Sequence, residues 1–202
     1  MKTNLWAACL LYSEASFNFY MLTFYLKYFP GNIFQNSFCF AISDLCAFVL
    51  AGMALKTTTI QNGIRFAVFI AFSGGLLYLC LSEQPKIVPV VICLARVGQT
   101  MIFNISVMAV SRLFPTQYVS TAYGCTNLVA HVFACLSALV AEIPNPLPFL
   151  IFECLLVVAA LMTFKITEVN SIEHKSKDQG KNEVVDLDAS FDQKRASFNN
   201  ST

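Results

Sequence analysis

Charge is what this chain most lacks: Asp, Glu, Lys and Arg together supply 12% of its 202 residues, while 56% are hydrophobic. A soluble domain of that length must cover its surface with polar groups, so the scarcity argues against one. The mean hydropathy of +0.62 points to a bilayer instead. Positive and negative side chains nearly cancel, 13 against 12, so no net field favours nucleic acid or an acidic substrate. Also missing are a G-x-S-G nucleophile motif, an H-E-x-x-H zinc site and paired membrane aspartates in a recognisable motif, leaving nothing to mark an enzyme or a cofactor. No repeated pore loop or ring-forming charge pattern suggests a channel. The eight cysteines all fall inside apolar runs and lack the spacing of a metal or redox pair, so they read as small apolar fillers. The first apolar run is too long for a signal peptide and has no convincing cleavage site, so it is expected to remain.

What is present is apolar length. Six segments can cross roughly 30 Å of hydrocarbon as helices, at about 5–27, 33–55, 64–82, 87–111, 119–142 and 147–165. Between them lie turn sequences: Pro30-Gly31-Asn32, Gln61-Asn62-Gly63, Glu83-Gln84-Pro85, Phe114-Pro115-Thr116 and Pro144-Asn145-Pro146. Such short connections make consecutive helices antiparallel. If Met1 is cytosolic, Lys2, Lys56, Arg65, Arg112, Lys165 and the cations of the tail share its side, leaving Lys27 and Lys86 opposite. Both termini are therefore expected inside. Residues 1–167 form the membrane domain in this reading. Residues 168–202, with Glu173, His174, Lys175, Lys177 and Asp178 among few apolar side chains, form a disordered cytosolic tail. That tail carries a basic-directed phosphorylation pattern at Lys194-Arg195-Ala196-Ser197 and two glycosylation sequons, which stay unmodified on the cytosolic side.

The charged residues and histidine well inside the spans, away from their ends, are Glu14, Asp44, Arg96, His131 and Glu153, each near the middle of its segment. At 1.5 Å per residue they fall within roughly 5 Å of the midplane. Each central charge costs on the order of 2.5–3.5 kcal/mol, so their shared depth implies pairing or a wet cavity. Asp44 and Arg96 read either as a structural ion pair or as part of a substrate path. His131 and Glu14 have comparable alternatives, while Glu153 reads more readily as structural. Ala130, Ala134 and Ala138 form a small-residue stripe for helix packing. Phe17, Tyr20 and Phe24 make an aromatic stripe that suits packing or lipid contact better than ligand binding.

One stretch carries a family resemblance. Ser111-Arg112-Leu113-Phe114-Pro115-Thr116 followed by Thr121-Ala122-Tyr123-Gly124 resembles the A-E-L-F-P-T...T-G-x-G signature of the organic cation/anion transporter branch of the major facilitator superfamily. Ala95-Arg96-Val97-Gly98 occupies the region of a buried basic residue in that family's tenth helix, and Ala41-Ile42-Ser43-Asp44-Leu45-Cys46-Ala47 resembles its eighth-helix V-E-x-P-A segment, with Asp44 replacing the glutamate and Cys46 the proline. Gly63-Ile64-Arg65 is similar to the cytosolic G-R-[KR] loop, and His131 stands where cation transporters tend to carry an acid and anion transporters a base. The resemblance covers about residues 5–165 and implies an all-α integral membrane protein, the C-terminal six-helix half of the twelve-helix fold. It further implies transport of small organic ions by alternating access, with Glu14, Asp44, Arg96 and His131 at the substrate and Lys56, Arg65 and Arg112 in the gating loops. The departures matter as well. Lys56 and Arg112 replace acidic residues, and the arginine expected after L-F-P-T is replaced around Val119, so the family's cytosolic charge network cannot form in its usual polarity.

One half cannot enclose a pathway. The expected partners are therefore the bilayer, the organic ion and a second six-helix half, and the expected location is the plasma membrane rather than an organelle. The alternative is a non-transporting six-helix scaffold or regulatory subunit derived from a transporter half.

Overall fold

The computed structural model describes residues 2–29, 32–81, 87–114, 116–144 and 146–165. The expected tail at 168–202, with its phosphorylation pattern and sequons, lies outside the described residues. The described chain is helical: α1 (Lys2–Tyr25), a 3-10 turn (Leu26–Tyr28), α2 (Ile33–Thr57), α3 (Ile60–Leu81), α4 (Val88–Leu113), α5 (Thr116–Ala141) and α6 (Leu147–Thr163).

Local chemistry sets the boundaries. Asn32 caps α2, its side-chain oxygen accepting from Phe34 N at 3.0 Å. At the other end, the Thr58 N–H and hydroxyl both donate to Ala54 O, at 2.8 and 2.7 Å, and Thr58 turns extended. The connection to α3 is then only Thr58-Thr59. Gln61-Asn62-Gly63, expected as the turn, is instead the first turn of α3. Thr59 Oγ1 faces Asn62 N at 3.5 Å and Thr59 O accepts from Gly63 N at 2.9 Å, so a threonine cap overrides the Asn-Gly turn signal. Pro89 and Pro148 lie in the first turns of α4 and α6, where a missing N–H costs nothing.

Four helices, α2 to α5, are long and apolar enough to cross a membrane. The expectation of six such segments is met in helix number rather than in uniform hydropathy. α6 has 17 residues. α1 carries Ser13, Glu14, Ser16 and Asn18 in mid-helix, all buried.

The centre of the bundle is α4, whose apolar stretch is 61% buried against 28% for α2 and for α5. α3 lies tightest against it. A Cβ on Gly74 would come within 2.7 Å of Ala95 Cα, and one on Gly98 within 2.6 Å of Ala71 Cα, so only glycine permits this approach. The anticipated alanine stripe on α5 is partly displaced: Ala130 is buried with Ala122, Thr126, Ser137 and Ala141, whereas Ala134 and Ala138 are half-buried.

The helix pairings carry an internal regularity. α1 packs on α5, α3 on α4, α2 on α4, α1 on α4, α3 on α6 and α1 on α6. Exchanging α1 with α4, α2 with α5 and α3 with α6 maps these six broadest pairings onto themselves, while the smaller α4–α5 and α2–α3 contacts fall outside the pattern.

Candidate functional site

Arg96 organises the middle of the bundle. Its Nε donates to Asp44 Oδ1 at 2.9 Å and Nη2 to Asp44 Oδ2 at 3.0 Å, a bidentate pair between α4 and α2. Nη1 reaches α1, donating to Phe19 O at 2.9 Å and Thr23 Oγ1 at 2.8 Å. Thr100, one turn beyond Arg96, donates to Asp44 Oδ1 at 2.7 Å. The guanidinium carbon stands 3.9 Å from the Phe19 ring centroid and 5.0 Å from that of Phe40. The Arg96 side chain is only 4% exposed but that of Asp44 is 25% exposed. The cation is thus enclosed and neutralised, while its carboxylate partner opens on one side.

From this node a strip of aromatic and polar groups crosses to α5. Phe19 stacks on Phe103 at 5.1 Å, Phe103 meets Tyr12 at 5.6 Å, and the Tyr12 hydroxyl donates to Asn127 Oδ1 at 3.2 Å. His131 follows Asn127 by one helical turn, is exposed, and lies at the strip's edge. Residues of α2, α4, α1 and α5 therefore line one continuous face, with Asp44, Phe19, Phe103 and Asn127 half-buried along it.

Asp44 and Arg96 meet as the sequence implied, and His131 lies on the same face. Glu14 does not join them. Nine positions separate it from Thr23, about half a turn around α1. Its Oε1 accepts from Asn18 Nδ2 at 2.7 Å, and the same amide group lies 3.4 Å from Phe152 O on α6. Glu14 belongs to the α1/α6 side of the bundle, apart from the face that carries Asp44, Arg96 and His131. Glu153, also buried, packs its carboxylate against Gly75 of α3, with no hydrogen-bond partner for either oxygen among the described residues.

The three loop cations share an end of the bundle but make no ion pair among the described residues. Lys56 and Arg112 are exposed in the last turns of α2 and α4. Arg65 donates to Asn62 Oδ1 at 3.3 Å and lies over the Phe164 ring at 4.5 Å. No described acidic residue stands at that end. At the opposite end, Glu142 accepts from both Lys27 and the Tyr28 hydroxyl, tying the exit of α1 to that of α5. These hydrogen bonds hold the Glu142 carboxyl below its ordinary range and raise Lys27 above its own, through Glu142 first and Tyr28 second.

Phe19, Thr23, Phe40, Thr100, Tyr12, Phe103 and Asn127 were not anticipated at the site. Spacing alone marks one of them, since Thr100 follows Arg96 by four residues, which places the pair on one helix face. Compared with known proteins, the chain matches no family model, and no curated protein aligns with it.

Proposed function

We propose that this chain is a six-helix half of a major-facilitator-type secondary transporter that moves small organic ions by alternating access. The observation that carries the reading is the Asp44–Arg96 pair in mid-bundle, enclosed on the arginine side and open on the carboxylate side. Transporters of this class bind at the midplane, between halves built from inverted three-helix repeats. The exchange of α1-α2-α3 with α4-α5-α6 that preserves the six broadest helix pairings supports such a repeat. In this reading the chain is a multi-pass membrane protein of the plasma membrane, and the end bearing Lys56, Arg65 and Arg112, with no acid among its described residues, faces the cytosol with both termini. The strip from Asp44 to Asn127 faces a second half, supplied by further polypeptide or another chain, and an organic ion exchanges water for contacts with Asp44, the aromatic rings and His131. Glu14 sits behind this face, outside direct reach of the ion.

The test is uptake of a panel of small organic cations and anions by cells expressing the chain together with its complementary half. Saturable uptake that drops at least tenfold in Asp44→Asn at equal surface abundance supports transport. A His131→Asp variant should shift the preference toward cations, because it places a negatively charged carboxylate where the imidazole stands; an unchanged charge preference sinks that role.

A second reading is a non-transporting scaffold or regulatory subunit. It is favoured by the completeness of the Arg96 bonding, in which four of five N–H groups are already used within the bundle. It predicts no substrate-dependent uptake by the assembled protein and an Asp44→Asn phenotype limited to stability.

A further inference from the structure

The two outer edges of the Asp44–Asn127 strip, α2 and α5, are the least enclosed of the four apolar spans, each with 28% of its apolar stretch buried. Their exposed faces differ in kind. On α2 the open side of Asp44 is followed one turn later by the exposed ring of Phe48. On α5 the exposed His131 stands two turns from Gly124, where a Cβ would meet no atom within 4 Å. One edge offers a carboxylate and a bulge, the other an imidazole and a recess. The two sets also match in depth. α2 and α5 run in opposite directions, so Asp44, just before the midpoint of α2, and His131, just after that of α5, lie on the same side of the midplane. At 1.5 Å per residue they are within about 2 Å of one level. Phe48 and Gly124 lie on the other side of the midplane, again within about 2 Å of each other in depth.

We propose that the partner of this face is a second copy of the chain, so that two copies related by a two-fold axis along the membrane normal enclose the pathway between them. The inference rests on the six-helix-half reading above and names the missing half. Copies of one chain insert in one orientation, so the axis that relates them runs along the normal and preserves depth. Face to face across such an axis, the α2 edge of each copy meets the α5 edge of the other, the relation that joins the two halves of a transporter of the class proposed above. Phe48 of each copy then enters the recess at Gly124 of the other, while Asp44 and His131 stand on opposite walls of the space between. Charge and bulk both favour this register. An imidazole, neutral or protonated, can offer an N–H toward the open carboxylate. The alternative of α2 against α2 would set carboxylate against carboxylate and ring against ring, and α5 against α5 would leave a void between two glycines. Because the contact is isologous, both edges are covered at once and no complementary edge remains to recruit a third copy.

The test uses the full chain, stripped of its native cysteines and expressed in one membrane with two different tags. Phe48→Cys in one tagged form and Gly124→Cys in the other should crosslink under copper phenanthroline at least tenfold more than either does with its like. Phe69→Cys, on the exposed face of α3, should crosslink with neither. Gly124→Leu, whose side chain has open room within its own copy, should lower co-purification of the two tagged forms at least tenfold while leaving the helical circular dichroism unchanged. Crosslinking that is as strong between like positions, co-purification that survives Gly124→Leu, or tagged forms that never co-purify overturn the proposal. Uptake tells the two readings apart. If uptake requires a different polypeptide while copies of this chain stay separate, the pairing falls and transport stands; if the copies pair as described without uptake, transport falls and the pairing stands.

Discussion

Replacing the Asp44 carboxylate by an amide would strand a guanidinium that is 4% exposed, with its counter-charge gone and one acceptor oxygen where there were two. Loss of one partner from a buried pair costs about 3–5 kcal/mol. Asp44→Asn should therefore lower the thermal unfolding midpoint of the purified protein markedly, and Arg96→Gln added to it should recover part of the loss, because the unpaired charge disappears. If the double variant is less stable than Asp44→Asn alone, Arg96 is held chiefly by Phe19 O and Thr23 rather than by Asp44. The sequence made this pair legible through depth: both residues fall near the centre of their segments, and neither is tolerable there alone. Depth says nothing of direction around a helix. Glu14 has the right depth and the wrong azimuth, which the nine-residue offset from Thr23 would have revealed had Thr23 been recognised as an Arg96 partner. Phe19 escaped notice for a different reason. An aromatic residue in an apolar helix carries no signal of its own, and only the approaching cation gives it one.

At the scale of the helices, the glycines divide sharply. Gly74 and Gly98 are pressed against the backbones of Ala95 and Ala71, while Gly52 and Gly124 have open space where a Cβ would go. Gly98→Val should separate α3 from α4 and destabilise the protein by about 1–3 kcal/mol or more. Gly52→Ala and Gly124→Ala should instead be neutral or stabilising by up to about 1 kcal/mol, since alanine favours helix over glycine. Thermal unfolding of the three variants in one detergent checks the contrast. The clasp between Lys27, Tyr28 and Glu142 has its own pH signature. Glu142 titrates lower than usual when folded, so its contribution is complete above the ordinary carboxylate range and fades as pH falls through the lowered value. Lys27 titrates higher than usual, so its contribution is present below the ordinary lysine range and fades as pH rises through the raised value. Glu142→Gln should abolish the acid-side part of any pH dependence in the tie between α1 and α5, followed by hydrogen exchange at residues 26–29. Both exposed partners keep the effect small. Helix spans were readable because apolar length is a strong signal. The α2–α3 junction was not, since an Asn-Gly pair within the first turn of a helix looks like a hairpin turn until the preceding threonine is seen to cap it.

For the molecule as a whole, the asymmetry between its two ends makes the proposed orientation testable. Lys56, Arg65 and Arg112 lie at one end without a described acid, and Lys27 is paired with Glu142 at the other. In a protein stripped of its native cysteines, a single cysteine placed at Thr58 should react with an impermeant maleimide only after the membrane is opened, and one placed at Glu142 should react from outside. Reversed labelling would invert the topology. The pairing of the helices was not legible from the sequence, because hydropathy counts spans without saying which ones touch, and the glycines that decide the closest contact sit in unremarkable apolar runs. That contact has a mechanical consequence. Where two helices meet backbone to backbone at Gly74 and Gly98, there is no layer of side chains to shear or re-pack, so α3 and α4 must travel as one strut. Whatever motion the protein undergoes leaves the α3–α4 separation constant and is taken up between the other helices.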